Sequence, residues 1–538
     1  METLGWWAFS RRCPNIIGSR GEARLDNMEE TEASGIVVAP PTSSATGFGV
    51  RIASLGKAVY PTALLASLSI WCLALRAPLW LDETLSYWQV SGGLGKVWSR
   101  SALMPSSVGY LYTLWLAKSL LGSSEIALKI PSLIALLGAV YFLFRSAREL
   151  FGEETAFLAC IFFSLEGNVV FAATDARPYA FALLASTLAT FAFIRWMIQF
   201  ELRRAIWFGA AAASVVYFHY LFASILPAFA IYYLMARWRW IKTDLRQLAA
   251  ALTSFTLLTA PLALRVGALY GTRRVHTVQQ SHHPALAALD TLAPKQMLIG
   301  FLITALLAAL VQRVKLPGRD SCPKILLFPL LALVPGGILF TLSTTTSAHW
   351  MIPRYLSVAA VGSALTWGLL TSHIDSRWLR QIFCVGLVTL TVYENYRSPL
   401  SRRHDLSFKP AHAFVNAIVT KDELTILVCS AFIESNYEAL PADRNSENAM
   451  LSQVDYYPIH GPVRFLPMSL NEETMRIASE RVLAAAQERR RFLVIAAPES
   501  YTTLAWLASY TRGTFTAQMI GKFDDIVVAE FRPLAESD

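Results

Sequence analysis

The chain has 538 residues, of which 54% are hydrophobic and only 16% charged, with a formal net charge of +9. A soluble domain carries about 25% charged residues, so the composition excludes an ordinary soluble protein and points to a polytopic membrane protein. The basic excess falls in short clusters between apolar runs, which reads as membrane topology rather than a nucleic-acid patch.

Residues 1–50 are polar, rich in Gly, Ser, Thr and Ala, and without periodicity, which predicts a disordered cytoplasmic tail. No apolar core with a small-residue cleavage site lies there, so the apolar stretch 57–79 is expected to act as an uncleaved signal anchor. Asp82-Glu83 follows it directly, inside the apolar and aromatic sequence Trp80-Leu81-Asp82-Glu83-Thr84-Leu85-Ser86-Tyr87-Trp88. These flanks predict that the carboxylates are held at the bilayer surface. Charges near hydrocarbon are expensive and mark function, and partial desolvation improves a carboxylate as a base.

Further runs of roughly spanning length occur near 126–147, 154–173, 178–199, 205–221, 222–238, 247–268, 296–312, 325–343, 353–372 and 378–395. Val108 to Leu121 is shorter and contains Lys118, which predicts an interfacial helix. With that assignment the dense Lys/Arg loops all fall on one side: Arg145/Arg148, Arg203/Arg204, Arg237/Arg239/Lys242/Arg246, Arg313/Lys315/Arg319/Lys324 and Arg377/Arg380. The positive-inside rule then gives about eleven spans, a cytoplasmic N-terminus and an outer C-terminus. The helical membrane part is expected over 51–400 and a soluble, extracytoplasmic α/β domain over 405–538. In that domain Leu424–Cys429, Phe492–Ala497 and Ile526–Phe531 read as strands, and Asn471–Arg490 as an amphipathic helix. The six cysteines, at 13, 72, 160, 322, 384 and 429, show no paired spacing, so neither a disulfide framework nor a zinc site is expected.

The outer face collects the chemistry-bearing residues. Asp175-Ala-Arg177-Pro178-Tyr179 reads as a helix start with Pro178 in the first turn. Arg177 beside the Tyr179 phenol is also a natural phosphate clamp. Arg354-Tyr355 opens a late span, where an Arg opposes the helix dipole and an anion at the helix N-terminus would account for it. His219-Tyr220 ends one span at the same face, as either an interface pair or a binding element. Glu166 would sit about 13 Å from Asp175 on a continuous helix and carries no assigned role. The loop from Arg273 to His283 holds two Arg and three His; their irregular spacing favours contact with a phosphate or an acidic acceptor over a metal.

The set resembles the GT-C glycosyltransferases, in particular the protein O-mannosyltransferase and aminoarabinose-transferase-like group (glycosyltransferase family 39 and relatives). The likeness covers roughly 57–395. It rests on the Asp82-Glu83 pair, the interfacial helix ending Leu121-Gly122 before Glu125 and Lys129, the Asp175–Tyr179 motif and Arg354-Tyr355. It implies a membrane enzyme that moves a sugar from a polyprenyl-phosphate carrier to a lipid, protein or polysaccharide acceptor at the outer face of the plasma (inner) membrane, with inversion. Asp82 would be the general base, Glu83 would orient acceptor or sugar, and Asp175 would be the second acid of the cleft. Arg177, Arg354 and Tyr355, with Tyr179 and His219 beside them, would hold the carrier phosphate. No Asp-x-Asp is present, so no metal or other cofactor is predicted. A flippase of lipid-linked sugars is the alternative outside enzymes, disfavoured because the polar residues mass at one face without an internal repeat. A glycan ligase or polymerase is the alternative within them.

Overall fold

The computed structural model describes residues 46–103, 107–239, 244–272, 295–310, 322–346, 350–397, 407–419, 424–432, 435, 444–486 and 491–534. The expected tail up to residue 45, the Arg273–His283 loop and His349 lie outside the described residues. From Leu55 onward the described chain packs as one unit.

The helices in chain order are α1 (Thr46–Ser69), α2 (Leu81–Ser91), α3 (Leu94–Leu103), α4 (Val108–Leu121), α5 (Glu125–Phe151), α6 (Glu153–Leu165), α7 (Gly167–Ala173) and α8 (Tyr179–Ile198). There follow α9 (Leu202–Phe218), α10 (Leu226–Arg239), α11 (Leu245–Thr272), α12 (Lys295–Leu310), α13 (Cys322–Thr345), α14 (Pro353–Leu356), α15 (Ala359–Ser372) and α16 (Arg377–Arg397). The described parts of the apolar runs found in the sequence are thus largely helical. Among the described residues three helices, α5, α8 and the Ile325–Thr345 part of α13, are long and apolar enough to cross a membrane, or four if the pair α6–α7 counts as one span. The other expected spans fall on helices that are shorter or less uniformly apolar. Large side chains such as Ile134, Trp207, Leu257, Leu302, Leu306 and Leu333 stand exposed on the bundle, as a lipid-facing surface requires.

Two expected spans are broken. The run 154–173 bends by 73° between α6 and α7, where Glu166 accepts from the Val169 N–H at 2.8 Å and caps α7. The depth estimated for Glu166 on a continuous helix therefore does not apply; its carboxylate closes a helix end. The run 353–372 begins as the single turn α14 and continues as α15 after two residues. One turn has little macrodipole, so the dipole reading of Arg354 gives way to a contact described below.

At the end expected to be cytoplasmic, Arg380 forks onto Glu154 with two bonds of 2.9 Å, and Tyr60 Oη donates to the same carboxylate at 2.6 Å. Glu149 pairs with Arg195 at 3.0 Å and Arg145 at 3.6 Å.

The C-terminal part contains α17 (Lys409–Ile418), β1 (Thr425–Cys429), α18 (Arg444–Met450), α19 (Ser452–Tyr456), β2 (Val463–Leu466), α20 (Glu472–Ala486), β3 (Phe492–Ala496), α21 (Tyr501–Tyr510), β4 (Phe515–Phe523) and β5 (Ile526–Pro533). The five described strands form one sheet in the order β2-β1-β3-β5-β4. β1 runs parallel to both β2 and β3, and β5 antiparallel to both β3 and β4. β1 and β3 are buried along their whole length, as central strands covered on both faces must be.

α2 joins the two parts. Leu81, Leu85 and Trp88 recur at i, i+4 and i+7, one face of a helix. They pack with Phe408, Ile426, Val428, Leu493, Ile495 and Val528 in the core of the sheet-bearing part. The apolar flanks of Asp82-Glu83, expected at the bilayer surface, are instead core residues of the C-terminal part. Around them, Thr84 Oγ1 lies 3.2 Å from Ser452 Oγ. Glu125 Oε1 accepts from Lys409 Nζ at 2.9 Å and from Tyr457 Oη at 2.7 Å, and Tyr457 Oη in turn accepts from the Leu79 N–H at 2.8 Å.

The bundle itself is held by close backbone approach. A Cβ on Gly362 would stand 2.2 Å from the Ala332 nitrogen and 2.3 Å from the Leu331 carbonyl carbon of α13. Small residues let helices approach this closely in a membrane. Gly362→Ala is expected to push α13 and α15 apart and destabilise the protein by about 1–3 kcal/mol, read as a lower melting temperature of the detergent-solubilised chain. An unchanged temperature would contradict this packing.

Candidate active site

Asp82, Glu83, Asp175, Arg177, Tyr179, His219, Arg354 and Tyr355, drawn from four separate stretches of sequence, meet in one cluster. Glu83 organises it. Its side chain is wholly buried; Oε2 accepts from the Trp80 N–H at 3.0 Å, which closes the first turn of α2. Oε1 accepts from the Ala176 N–H at 2.7 Å, pinning the Asp175–Arg177 loop against α2. Lys129 Nζ, also buried, lies 4.0 Å from Oε2 and donates to the Ala77 carbonyl at 2.6 Å. Burial pushes the Glu83 carboxyl up, to about 8, while the Lys129 ammonium pulls it down. With both oxygens on backbone N–H groups and no exposure, the Glu83 side chain is closed off from the opening.

Asp175 is buried as well. Oδ1 accepts from the Trp80 indole N–H at 3.0 Å, and the Asp175 carbonyl accepts from Ser132 Oγ at 2.7 Å. Burial pushes its carboxyl up, to about 6, against the Trp80 hydrogen bond and the Arg177 charge, which act the other way. Trp80 is thereby fixed as a wall: its ring meets Phe171 edge-on at 6.3 Å and lies 5.8 Å from the Arg354 guanidinium.

Asp82 stands one residue before Glu83, about 100° round the helix, and so faces out of the core that buries its neighbour. Its side chain is 18% exposed, and Oδ2 lies 3.2 Å from Arg354 Nη1 and 3.5 Å from Arg177 Nη2. Arg177 Nη1 also donates to the Asp82 carbonyl at 3.2 Å. Among the described residues, the Nε–H groups of Arg177 and Arg354 have no hydrogen-bond partner although both are buried. Two guanidiniums therefore converge on one carboxylate oxygen with donor capacity left over, an arrangement suited to a tetrahedral oxyanion.

Aromatic rings complete the cluster. Tyr179, expected as a phosphate-binding phenol, is buried with its ring 5.4 Å from His219 and 6.4 Å from Tyr355. His219 lies 5.5 Å from Tyr355 and 5.0 Å from Phe222, and Arg354 lies 5.6 Å from the Tyr355 ring. Ser132 carries no signal in the sequence, Trp80 stands there only as a flank of Asp82-Glu83, and Lys129 only as a feature of the family resemblance. Among the described residues no group of His, Cys, Asp and Glu gathers as a metal site.

The comparisons with known proteins follow this geometry. A family model described as dolichyl-phosphate-mannose-protein mannosyltransferase matches residues 106–263. The crystal structure of ArnT from Cupriavidus metallidurans bound to undecaprenyl phosphate is similar at TM-score 0.51 and 11% identity, over 90% of this chain and 98% of that one. Its apo form is similar at TM-score 0.51 and 10% identity, over 91% and 98%. The Archaeoglobus fulgidus oligosaccharyltransferase is a fainter likeness, at TM-score 0.45 and 12% identity over 86% and 70%. No curated protein sequence matches the chain. The chain is thus similar to a mannosyltransferase family model over residues 106–263, and its fold is similar to that of ArnT along nearly its whole length.

Glu83→Gln tests the organising role. An amide has one acceptor oxygen, so one of the two backbone N–H groups would face an NH2. The variant is expected to lose about 3 kcal/mol of stability, seen as a lower melting temperature. A melting curve superimposable on the wild type would overturn the assignment.

Proposed function

We propose that the protein transfers a sugar from a polyprenyl-phosphate carrier to an acceptor at the outer face of the membrane, inverting the anomeric centre, with Asp82 as general base. The observation that carries this reading is the exposure of Asp82 alone among the three clustered carboxyls, with two guanidiniums at its side. The solved ArnT structure of similar fold holds undecaprenyl phosphate, which supports a lipid-linked donor. The ion pairs of Glu154 and Glu149 at the opposite end support a cytoplasmic assignment for that end.

The acceptor's nucleophilic atom attacks the anomeric carbon while the bond from that carbon to the carrier phosphate oxygen breaks. The acceptor proton goes to Asp82, and the bonding pair leaves with the phosphate. Arg177 and Arg354 bind the phosphate and hold the charge that develops on it, which preorganised cations do without rearranging. Tyr179, His219 and Tyr355 form the aromatic side of the donor cleft. Glu83 and Asp175 are positioning residues: the first holds α2 to the Asp175–Arg177 loop, and the second holds Trp80. The sheet-bearing part stands at the outer mouth of the bundle.

Asp82→Asn is expected to lower transfer by roughly 10²–10⁴-fold in a protein that still inserts and melts normally. Mass spectrometry of lipid-linked sugars and envelope glycans in cells carrying either form gives the readout: the carrier-linked sugar accumulates and the product mass disappears. Product at wild-type level in that variant would sink the base assignment. Asp175→Asn, which keeps an acceptor for the Trp80 indole, is expected to reduce transfer by about tenfold or less in the same assay.

A further inference from the structure

We infer that Asp82 and the carrier phosphate compete for the same two arginines, so that donor binding draws the guanidiniums away from the base. The inference rests on the reading above, in which a carrier phosphate occupies the cleft. It goes beyond it by coupling donor binding to the state of the base.

Asp82 Oδ2 takes contacts from both Arg354 Nη1 and Arg177 Nη2, at 3.2 and 3.5 Å. Oδ2 is thereby held by both guanidiniums, and a phosphate entering the same site must draw on the same N–H groups. Neither arginine is otherwise committed to an acid within ion-pairing distance among the described residues. Each keeps a buried Nε–H with no partner there. Arg177 is anchored on the Asp82 carbonyl, at 3.2 Å, and near Ser86 Oγ, at 3.4 Å. Its guanidinium can therefore change anionic partner without leaving the site. Arg354 is braced between the faces of Trp80 and Tyr355, which holds its plane while its N–H groups are shared.

A phosphate offers more acceptor oxygens than a carboxylate and pairs with arginine bidentately. Its arrival satisfies the unpartnered Nε–H groups and draws the guanidiniums from Asp82. Glu83 keeps the backbone beneath Asp82 fixed, through Trp80 and Ala176, so the freed carboxylate stays beside the reacting centre.

Competition has a consequence opposite to that of a simple binding residue. Removing the Asp82 charge should tighten the site for the phosphate carrier while abolishing transfer. The experiment titrates the detergent-solubilised full chain with farnesyl phosphate, using inorganic phosphate as the headgroup control. Asp82→Asn is expected to bind farnesyl phosphate on the order of tenfold more tightly than the wild type, with Asp82→Ser as a second variant and melting temperature as the check on folding. In an Arg354→Gln background the gain from Asp82→Asn is expected to shrink to about twofold. An affinity that is unchanged or weaker in both folded Asp82 variants overturns the competition. Failure of the parent reading is a separate result, product formation at wild-type level by Asp82→Asn in cells, and it does not depend on the affinities.

Discussion

Everything in the cluster depends on the buried carboxyl of Glu83. A charge taken out of water is costly unless neighbouring donors replace the lost hydration. Glu83 meets that condition with two backbone N–H groups, from Trp80 and Ala176, and with Lys129 at 4.0 Å. These three partners come from the entry to α2, from the loop before α8 and from α5. Satisfying one acid therefore forces three segments into register, and the register determines which way Asp82, Asp175 and Arg177 point. Lys129 gives its shortest bond to the Ala77 carbonyl, so it also fixes the chain leading into α2.

The same helix answers to a second core. Leu81, Leu85 and Trp88 belong to the apolar interior of the sheet-bearing part, while Glu83 belongs to the polar interior of the bundle. α2 is eleven residues long, too short to be stable alone in water. Its geometry is set by both sides, and any shift of the sheet against the bundle is a shift of Asp82 against Arg354. The Glu125–Lys409–Tyr457–Leu79 hydrogen bonds resist such a shift at the seam. A loop-borne base would have neither restraint, and sites on rigid elements hold geometry better than sites on loops.

Much of this was legible in the sequence. Apolar runs located the helices, and the charge pattern put Asp82, Asp175, Arg177 and Arg354 at one face. Hydrophobicity also found β1, β3 and β5, the three inner strands. It missed β2 and β4, the two edges, and the reason is physical: β2 is four residues long, and β4 exposes most of its positions, so neither carries a buried run. The burial of Glu83 beside an exposed Asp82 was not legible from their adjacency alone. It follows from the phase of Leu81, Leu85 and Trp88, a helical period that the sequence contained but that reads equally as an aromatic membrane-surface segment. Nor does hydropathy alone mark the break at Glu166, since the stretch 156–173 is apolar apart from Ser164 and Glu166-Gly167-Asn168.

The division of labour among the three acids follows from where each sits rather than from its type. Asp175 and Glu83 are closed off by hydrogen bonds and packing, and burial pushes both carboxyls up. Groups so enclosed cannot reach an acceptor without dismantling the loop and the Trp80 wall that they hold. Asp82 faces the opening and is restrained by charge alone, and ion pairs are the contacts that another anion can displace without moving the backbone. A site built this way keeps its rigidity in the buried acids and its chemistry in the exposed one. On the proposed reaction its arginines would face two successive anions, first Asp82 and then the phosphate of the carrier.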